Sequence, residues 1–209
     1  MVVTKVAELA KNRSKVYIDE EFAFVLYKGE LRIYKVRVGQ EITEEAYSEI
    51  TERILPKRAK LRCMNLLKTK SYTRKQLEDK LRDGFYPENI ITIALDYVAS
   101  FGYINDEQYT HDYIEYYKEQ RSKSRIMNDL LKKGIDKELF EQVWEETIGD
   151  EQKDIETAQI LKLLEKKKYC DATATYEERQ KIFAFLYRKG FKMDAIRNAV
   201  SLDITSICV

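Results

Sequence analysis

Three of the seven glycines follow nearly the same run of residues, and this repeat limits the possible folds more than any other feature of the chain. Each has a large apolar residue seven positions earlier, another three or four positions earlier, and an apolar residue directly after it. Glycine adopts positive φ without steric cost, so it commonly stands just past a helix end, where the next apolar residue folds back onto the last turn. The repeat therefore predicts helices that end at Gly84, Gly134 and Gly190.

The likeness continues after each glycine, which indicates a further helix in every repeat. Apolar residues stand six and ten positions after the glycine, and they are Ile90, Phe140 and Ile196, then Ala94, Trp144 and Val200. The glycines are 50 and 56 residues apart (134−84 and 190−134), a spacing typical of a repeated unit of three short helices.

Helix starts are indicated by capping residues. Capping boxes or caps are Thr73-x-x-Gln76, Asn105-x-x-Gln108, Thr175-x-x-Glu178 and Asp136, and Pro87 suits a first helical position. The predicted helices span about residues 56–69, 73–83 and 87–100, then 105–119, 122–133 and 136–147, then 150–168, 175–189 and 192–204. They define predicted repeats at 56–104, 105–150 and 151–209.

The first 55 residues do not share the repeat. Val16 and Ile18, then Phe22, Phe24 and Leu26, alternate with more polar positions on either side of Asp19-Glu20-Glu21, which predicts a short β-hairpin or extended segment. Thr43, or the acidic residues after it, should begin another helix. We therefore predict a mostly α fold of tandem three-helix repeats, with a small N-terminal segment, 1–55, that contains the hairpin.

Composition supports a folded helical chain. Two prolines and seven glycines in 209 residues favour long helices, and 44% apolar with 35% charged residues excludes a disordered chain. The longest apolar run, Phe22–Tyr27, is far too short to span a bilayer, and Met1–Arg13 lacks the apolar region of an export signal. These features predict a cytoplasmic protein without membrane contact.

The sequence contains no motif of a common enzyme class. P-loop, dinucleotide-binding, zinc-protease and nucleophile-elbow patterns are all absent, and His111 has no nucleophile near it in sequence. Cys63, Cys170 and Cys208 are far apart and form no C-x-x-C pair, so no metal site is predicted. We expect no catalytic residue, no cofactor and no enzymatic activity.

Charge is distributed unevenly, although the net charge is only +1. Counting Lys and Arg against Asp and Glu gives −1 for residues 1–55, +5 for 56–104, −5 for 105–150 and +2 for 151–209. Basic turns recur at 68–75 and 121–125, and two such turns on neighbouring repeats would form a cationic stripe. The candidate interface residues are Lys68, Lys70, Arg74, Lys75, Arg82, Arg121, Lys123, Arg125, Lys132 and Lys133. Ordinary solvated helix faces remain the alternative interpretation.

Fifteen tyrosines raise the question of base stacking. Tyr97, Tyr103, Tyr109, Tyr113 and Tyr187 fall at helix positions that face a core or its boundary, so packing is the favoured interpretation and stacking the alternative.

The ordered set of motifs is similar to that of the bacterial RecX family, regulators of the RecA recombinase. The motifs are Leu66-Leu67-Lys68-Thr69-Lys70-Ser71-Tyr72-Thr73-Arg74-Lys75-Gln76-Leu77-Glu78-Asp79-Lys80-Leu81-Arg82-Asp83-Gly84-Phe85, Tyr103-Ile104-Asn105-Asp106-Glu107-Gln108-Tyr109, and Lys123-Ser124 leading to Leu130-Leu131-Lys132-Lys133-Gly134-Ile135. The likeness is close over 58–146 and looser in the third repeat, where the Tyr-Ile-Asn-Asp motif has no counterpart. Gln76 replaces an acid, and Thr110 replaces an alanine, of the family pattern.

This resemblance implies an elongated, curved module of three-helix repeats. It also implies binding to the RecA filament on single-stranded DNA, with suppression of strand exchange, ATP turnover and stimulated repressor cleavage, and hence restraint of the SOS response. No cofactor is implied. We expect a monomer whose repeats contact successive RecA protomers along the filament groove, with the single-stranded DNA backbone as a further contact.

Two other functions fit the pattern. Three-helix units also occur in helix-turn-helix regulators of duplex DNA, although such a reader should be clearly basic and the second repeat carries −5. A plain α-repeat scaffold for another protein fits the fold equally well.

Overall fold

The computed structural model describes the backbone of residues 1–206 and the side chains of residues 1–200. Its contacts divide the chain into an N-terminal unit, Met1–Asn105, and a C-terminal unit, Asp106–Val209. Cys208 lies outside the described residues. Within the described part, no helix is long and apolar enough to cross a membrane.

The N-terminal unit begins with a three-stranded antiparallel sheet in the order β1-β2-β3, formed by β1 Val3–Ala10, β2 Arg13–Ile18 and β3 Glu21–Tyr27. The predicted hairpin is confirmed as β2 and β3. Asp19 and Glu20 both have positive φ, +48° and +72°, as a tight two-residue hairpin turn requires. Strand β1 was not predicted, because only Val3 of its residues is fully buried and the alternation is weak.

A continuous helical stretch leads from the sheet region into the first repeat. After α1 (Lys28–Ile33), helix α2 (Glu44–Ser48) begins at Thr43, whose hydroxyl accepts a hydrogen bond from the Ala46 N–H as predicted. A π-helical segment, Glu49–Ile54, joins it directly to α3 (Leu55–Leu67). The predicted start at about 56 agrees with α3 to within one residue, but the helical segment that precedes α3 without a break was not predicted. Pro56 lacks the N–H of a regular helix, and the wider π turns immediately precede it.

Of the remaining helices, two complete the first repeat and six form two further sets of three, and all match the predicted bounds to within a few residues. They are α4 Arg74–Arg82, α5 Glu88–Ser100, α6 Asp106–Tyr117, α7 Lys123–Leu131, α8 Lys137–Thr147, α9 Gln152–Lys167, α10 Tyr176–Arg188 and α11 Met193–Ser206, with a short 3-10 turn at Gly149–Glu151. The capping boxes at Thr73 and Thr175 and the cap at Asp136 are confirmed. Pro87 is the residue before α5 and not its first helical residue. The division into four segments stays a prediction.

The second helix of each repeat ends with the same hydrogen bond. The N–H groups of Tyr86, Ile135 and Phe191 donate to the carbonyls of Leu81, Leu130 and Leu186, five residues earlier, over 3.2, 3.1 and 3.3 Å. This bond requires a left-handed residue just before the donor.

The left-handed residue is a glycine in only two of the three repeats. Gly134 and Gly190 have φ of +87° and +92°, but in the first repeat it is Phe85, at +62°, and not Gly84. Gly84 is needed for space instead, because a Cβ there would lie 3.0 Å from the Tyr86 ring and 3.1 Å from the Leu81 carbonyl. The Lys15 ammonium lies 3.7 Å from the centre of the Phe85 ring, so the sheet supports this strained residue.

This shift corrects the alignment of the repeats by one residue. Counted from the left-handed residue, the buried side chains six positions on are Ile91, Phe140 and Ile196, and those ten positions on are Leu95, Trp144 and Val200. The predicted equivalents Ile90 and Ala94 are also buried, but they belong to the neighbouring positions. The apparent period shortens from 50 to 49 residues between the first two repeats (134−85).

Gly190 combines positive φ with close contact, so its replacement should be costly. A Cβ at Gly190 would lie 2.7 Å from the Ser122 Oγ, whereas one at Gly149, with φ of +47°, meets nothing within 4 Å. We predict that Gly190→Ala lowers the free energy of unfolding by about 2 kcal/mol or more, and by clearly more than Gly149→Ala. Urea unfolding followed by fluorescence of the buried Trp144 measures both. Equal losses would show that backbone strain alone, and not contact with Ser122, makes Gly190 necessary.

Candidate functional site

Most of the predicted interface cations of the N-terminal unit form ion pairs with neighbouring carboxylates. Arg74 lies 2.6 Å from Asp96 of α5. Lys75 contacts the acids one turn along its own helix, Glu78 at 3.4 Å and Asp79 at 3.1 Å. These pairs help hold α4 in place and reduce the charge that the turn at 68–75 presents to a partner.

Arg82 is bound more firmly than its neighbours. Its guanidinium lies 2.6 Å from Glu78 and 2.9 Å from Glu88 at the start of α5. These hydrogen bonds raise the pKa of Arg82, and the bond from Arg82 lowers the pKa of the Glu88 carboxyl. Lys68 and Lys70 are exposed, and the Lys70 ammonium lies 4.8 Å from the Tyr72 ring centre. Among the predicted cations of this unit, these two have no ion pair with a described residue.

In the C-terminal unit, the turn between α6 and α7 carries the other predicted cations. Arg121 lies 2.6 Å from Asp129, and its guanidinium carbon lies 3.9 Å from the Tyr117 ring centre. Arg125 also approaches Asp129, at 3.9 Å, but is itself exposed. Both residues therefore present charge at the turn, although Asp129 shields Arg121 more than Arg125.

The three remaining predicted cations lie on α7 and in the turn after it. Lys123 lies 2.7 Å from Glu141 of α8. The Lys133 ammonium lies 5.6 Å from the Tyr113 ring centre, and Lys132 is exposed. Lys123 is thus engaged within the fold, as Arg74 is in the other unit.

Tyr97, Tyr109 and Tyr113 are partly buried, in agreement with the packing interpretation. Tyr103 and Tyr187 are instead exposed, and the prediction for these two is wrong. The rings of Tyr103 and Tyr187 lie on the surface of the protein. Helical spacing alone does not distinguish such exposed positions from buried ones.

The α6–α7 turn contacts the turn between α10 and α11 directly. The Ser122 hydroxyl donates a hydrogen bond of 2.6 Å to the Lys189 carbonyl and also accepts one from the Arg125 N–H. On the other side, the buried amide of Gln159 on α9 donates to the carbonyls of Lys118 and Arg121. These contacts bring together three parts of the chain that are distant in sequence.

A cleft of about 540 Å³ opens where these parts meet. We call it the cationic cleft, and its cations are Arg121, Arg125, Lys162, Lys166 and Lys189. Among the described residues, one carboxylate, that of Glu119, lies at its edge, 3.9 Å from Lys162. Apart from that distant contact, Lys162, Lys166 and Lys189 make no ion pair with a described residue, so the cleft carries a clear excess of positive charge.

A second cavity, of about 500 Å³, lies along the end of α9 and one face of α10. Lys167 and Lys189 lie 5.0 and 5.7 Å from the ring centre of Phe185, which faces this cavity. The carboxylate of Glu178, which also lines this cavity, caps α10. It accepts a hydrogen bond from the Thr175 N–H, and this bond lowers the pKa of Glu178. The cations that line this cavity are Lys167, Lys168, Lys181 and Arg188. The positive surface therefore continues beyond the cationic cleft.

Only Arg121 and Arg125 of these nine cations were among the predicted interface residues. The other seven belong to residues 151–209, where 11 basic and 9 acidic residues give a sum of only +2. A sum over a segment does not show that acids and bases occupy different faces. The run Lys166-Lys167-Lys168, at the end of a predicted helix, was the available signal.

The fold and the cleft define a protein of tandem three-helix repeats with a polycationic face on its C-terminal unit. Family models described as the first and the third three-helix domain of RecX match residues 59–97 and 154–200. The likeness thus extends into the third repeat, where the motifs were looser.

Whole-chain comparisons agree. The regulatory protein RecX of Caldanaerobacter subterraneus subsp. tengcongensis is 33% identical over 204 residues, which cover 97% of this chain and 100% of the relative. The regulatory protein RecX of Clostridium botulinum (strain Eklund 17B) is 29% identical over 91% of this chain and 89% of its own. The chain belongs to the RecX family.

Solved structures support the fold. A crystal structure of regulatory protein RecX matches with a TM-score of 0.61 at 21% identity, covering 94% of this chain and 98% of the other. RecX from Lactobacillus salivarius matches with a TM-score of 0.61 at 24% identity over 71% of this chain and 96% of its own.

The contact between the two turns should make Ser122 important for stability. Ser122→Ala removes the donor to the Lys189 carbonyl and the acceptor that caps α7. We predict a loss of about 1–2 kcal/mol in the free energy of unfolding. Ser124→Ala, two residues away, is the matched control and should have little effect. Urea unfolding followed by Trp144 fluorescence distinguishes them, and equal effects would remove the special role of Ser122.

Proposed function

We propose that this chain is a non-enzymatic regulator that binds RecA filaments on single-stranded DNA. In this proposal it inhibits the recombinase, ATPase and coprotease activities of the filament and so restrains recombination and the SOS response in the cytoplasm. The names of its relatives support a regulatory role, and RecA as the partner rests on the family resemblance.

The cationic cleft is the observation that favours a polyanionic partner. In the part of the chain that the structure describes, five cations from three separate parts of the C-terminal unit surround a space with one carboxylate at its edge. Such a concentration of charge attracts phosphates or surface carboxylates and accelerates encounter at low salt. A RecA filament on DNA presents both kinds of group.

The ion pairs and the exposure of the predicted interface residues support an order of preference among them. Arg125 lines the cleft, is exposed and only approaches Asp129, at 3.9 Å, so it is the strongest candidate. Arg121 also lines the cleft but would have to give up its 2.6 Å pair with Asp129. Lys68, Lys70 and Lys132 are exposed and able to make further contacts. Four other predicted residues would first have to break ion pairs within the chain, and they are Arg74, Lys75, Arg82 and Lys123. Lys133 would have to leave its contact with the Tyr113 ring.

The proposed inhibition uses several weak contacts at once. In the predicted arrangement the segments 56–104, 105–150 and 151–209 each contact the filament. Linked weak sites bind a repeating polymer far more tightly than any one alone. A monomer is sufficient for this mode of binding.

A duplex-DNA regulator of the helix-turn-helix type is the second candidate. Such a protein places a helix in the major groove and surrounds it with contacts to phosphates. The sum of −5 over segment 105–150 differs from the clearly basic domain that is typical of duplex-binding regulators, although Arg121 and Arg125 of that segment line the cationic cleft. Tight, sequence-specific binding to duplex DNA without RecA would favour this candidate over ours.

Reversing the charge of the cleft should abolish most of the inhibition. We predict that replacing Lys162, Lys166 and Lys189 together by glutamate raises the protein concentration that halves RecA ATP turnover by about tenfold or more, because attraction becomes repulsion. The assay uses preformed RecA filaments on single-stranded DNA. Circular dichroism verifies that the helix content is unchanged.

The control replaces Lys11, Lys137 and Lys153 by glutamate. These lysines are exposed and do not line the cleft, and the net charge changes by the same amount. This variant should inhibit like the parent protein. If both variants lose inhibition equally, overall charge explains the effect. If the cleft variant inhibits normally, the cleft is not the interface.

A further inference from the structure

Helix α10 has a second exposed face. It lies opposite the face that lines the second cavity, which contains Lys181 and Arg188. A groove of about 730 Å³ runs along it and is bounded on the other side by α11. The α10 residues of the groove recur at helical spacing, and the described lining residues are Tyr176, Arg179, Gln180, Phe183, Ala184, Tyr187, Met193 and Arg197. Tyr176 and Tyr187 are 76% and 63% exposed, so these large rings contribute little to the core.

The lining has the composition of a protein interface. The buried centres of protein–protein interfaces are enriched in aromatic residues, Met and Arg, and depleted in Lys, Asp and Glu. Among the residues whose side chains the structure describes, the groove contains three aromatic residues, one Met and two Arg, and no Lys, Asp or Glu. The opposite face of α10 contains Lys181 and Arg188, so the two faces of one helix differ in chemistry.

Several side chains of the groove are already held in place by hydrogen bonds within the chain, before any partner protein binds. The Gln180 amide donates a hydrogen bond of 2.7 Å to the Tyr176 hydroxyl. Arg179 donates to the Asp171 carbonyl at 2.7 Å and lies 3.4 Å from the Asp171 carboxylate, which also accepts from the Tyr169 hydroxyl. Prior ordering of this kind reduces the entropy cost of binding.

We propose that this groove binds the apolar face of an acidic amphipathic helix from a partner protein. Tyr176 and Tyr187 are eleven residues apart on one helix, so the ridge is about 16 Å long, enough for about three turns of a bound helix. The small side chain of Ala184 leaves a depression beside Phe183 and Tyr187 for an apolar anchor. Arg197, which has no ion pair with a described residue, supplies charge for an acidic rim.

The charge of the groove lining favours an acidic helix over single-stranded nucleic acid as the bound partner. A nucleic-acid groove combines rings with a row of cations along the backbone. Here the lysines lie in the cationic cleft and in the cavity on the opposite face of α10, and one of the two arginines of the groove is already paired with Asp171. The proposal goes beyond the proposed function, because it assigns a second surface of different chemistry and does not require RecA.

The test measures binding of a defined probe to the full chain. The probe is a fluorescein-labelled, stapled helix of about five turns with leucine on one face and glutamate on the other. Fluorescence anisotropy should show saturable binding to the parent protein. Tyr187→Ala and Arg197→Glu should each weaken the affinity by about tenfold, as expected for residues at the centre of an interface.

Tyr116→Ala is the matched control, because Tyr116 is 68% exposed on α6 and does not line the groove. Its affinity for the probe should equal that of the parent. Absence of binding by the parent, or equal binding by Tyr187→Ala, overturns the proposal. Displacement of the probe by oligothymidylate would assign the groove to nucleic acid, and self-association of the parent that Tyr187→Ala removes, seen by light scattering, would assign it to a second copy.

The measurement contains no RecA, so its failure leaves the proposed function untouched. Conversely, a chain that fails to inhibit RecA but binds the probe through Tyr187 retains this surface for another protein.

Discussion

One backbone hydrogen bond recurs at the end of the second helix of every repeat, and the packing of the third helix depends on it. It joins the residue after a left-handed position to the carbonyl five residues earlier, and it sets the direction in which the chain leaves the helix. The donors Tyr86, Ile135 and Phe191 then fold back on the helix that they close. At Gly190 this helix end has a second effect. Because glycine has no side chain, the Ser122 hydroxyl can reach the Lys189 carbonyl. The cationic cleft forms at that contact, so the local requirement of a helix end leads to the candidate site.

Electrostatic pairing divides the cations of the chain into two groups with different roles. Around α4, arginines and lysines bind the acids of the same or the next helix, and Arg82 between Glu78 and Glu88 is the clearest example. Exposed pairs of this kind contribute little to stability individually, but they reduce the positive charge that a partner meets. In the C-terminal unit, Lys162, Lys166 and Lys189 have few acids near them. The segment with the largest positive sum is therefore not the one with the most available charge.

Much of the fold could be predicted because short-range rules determine it. Thr73, Thr175 and Asp136 cap helices through contacts with residues only three positions away, and Asp19 and Glu20 turn between paired strands. Strand β1 was missed because its pairing with β2, and not its own pattern, makes it a strand. The one-residue shift at Phe85 was missed because the Lys15 side chain of the sheet supports a strained residue in place of a glycine. The cleft depends on contacts such as that of Ser122 with Lys189, 67 residues apart, which a summed charge cannot reveal.

We propose that an anionic partner occupies the cationic cleft, and lysine footprinting on preformed RecA filaments shows whether it does. Acetylation of the free and the filament-bound protein, read by mass spectrometry, reports on every lysine separately. We expect Lys162, Lys166 and Lys189 to become several-fold less reactive on binding, while Lys11, Lys137 and Lys153 react as in the free protein. Unchanged reactivity of the three cleft lysines in a chain that has bound the filament would contradict it.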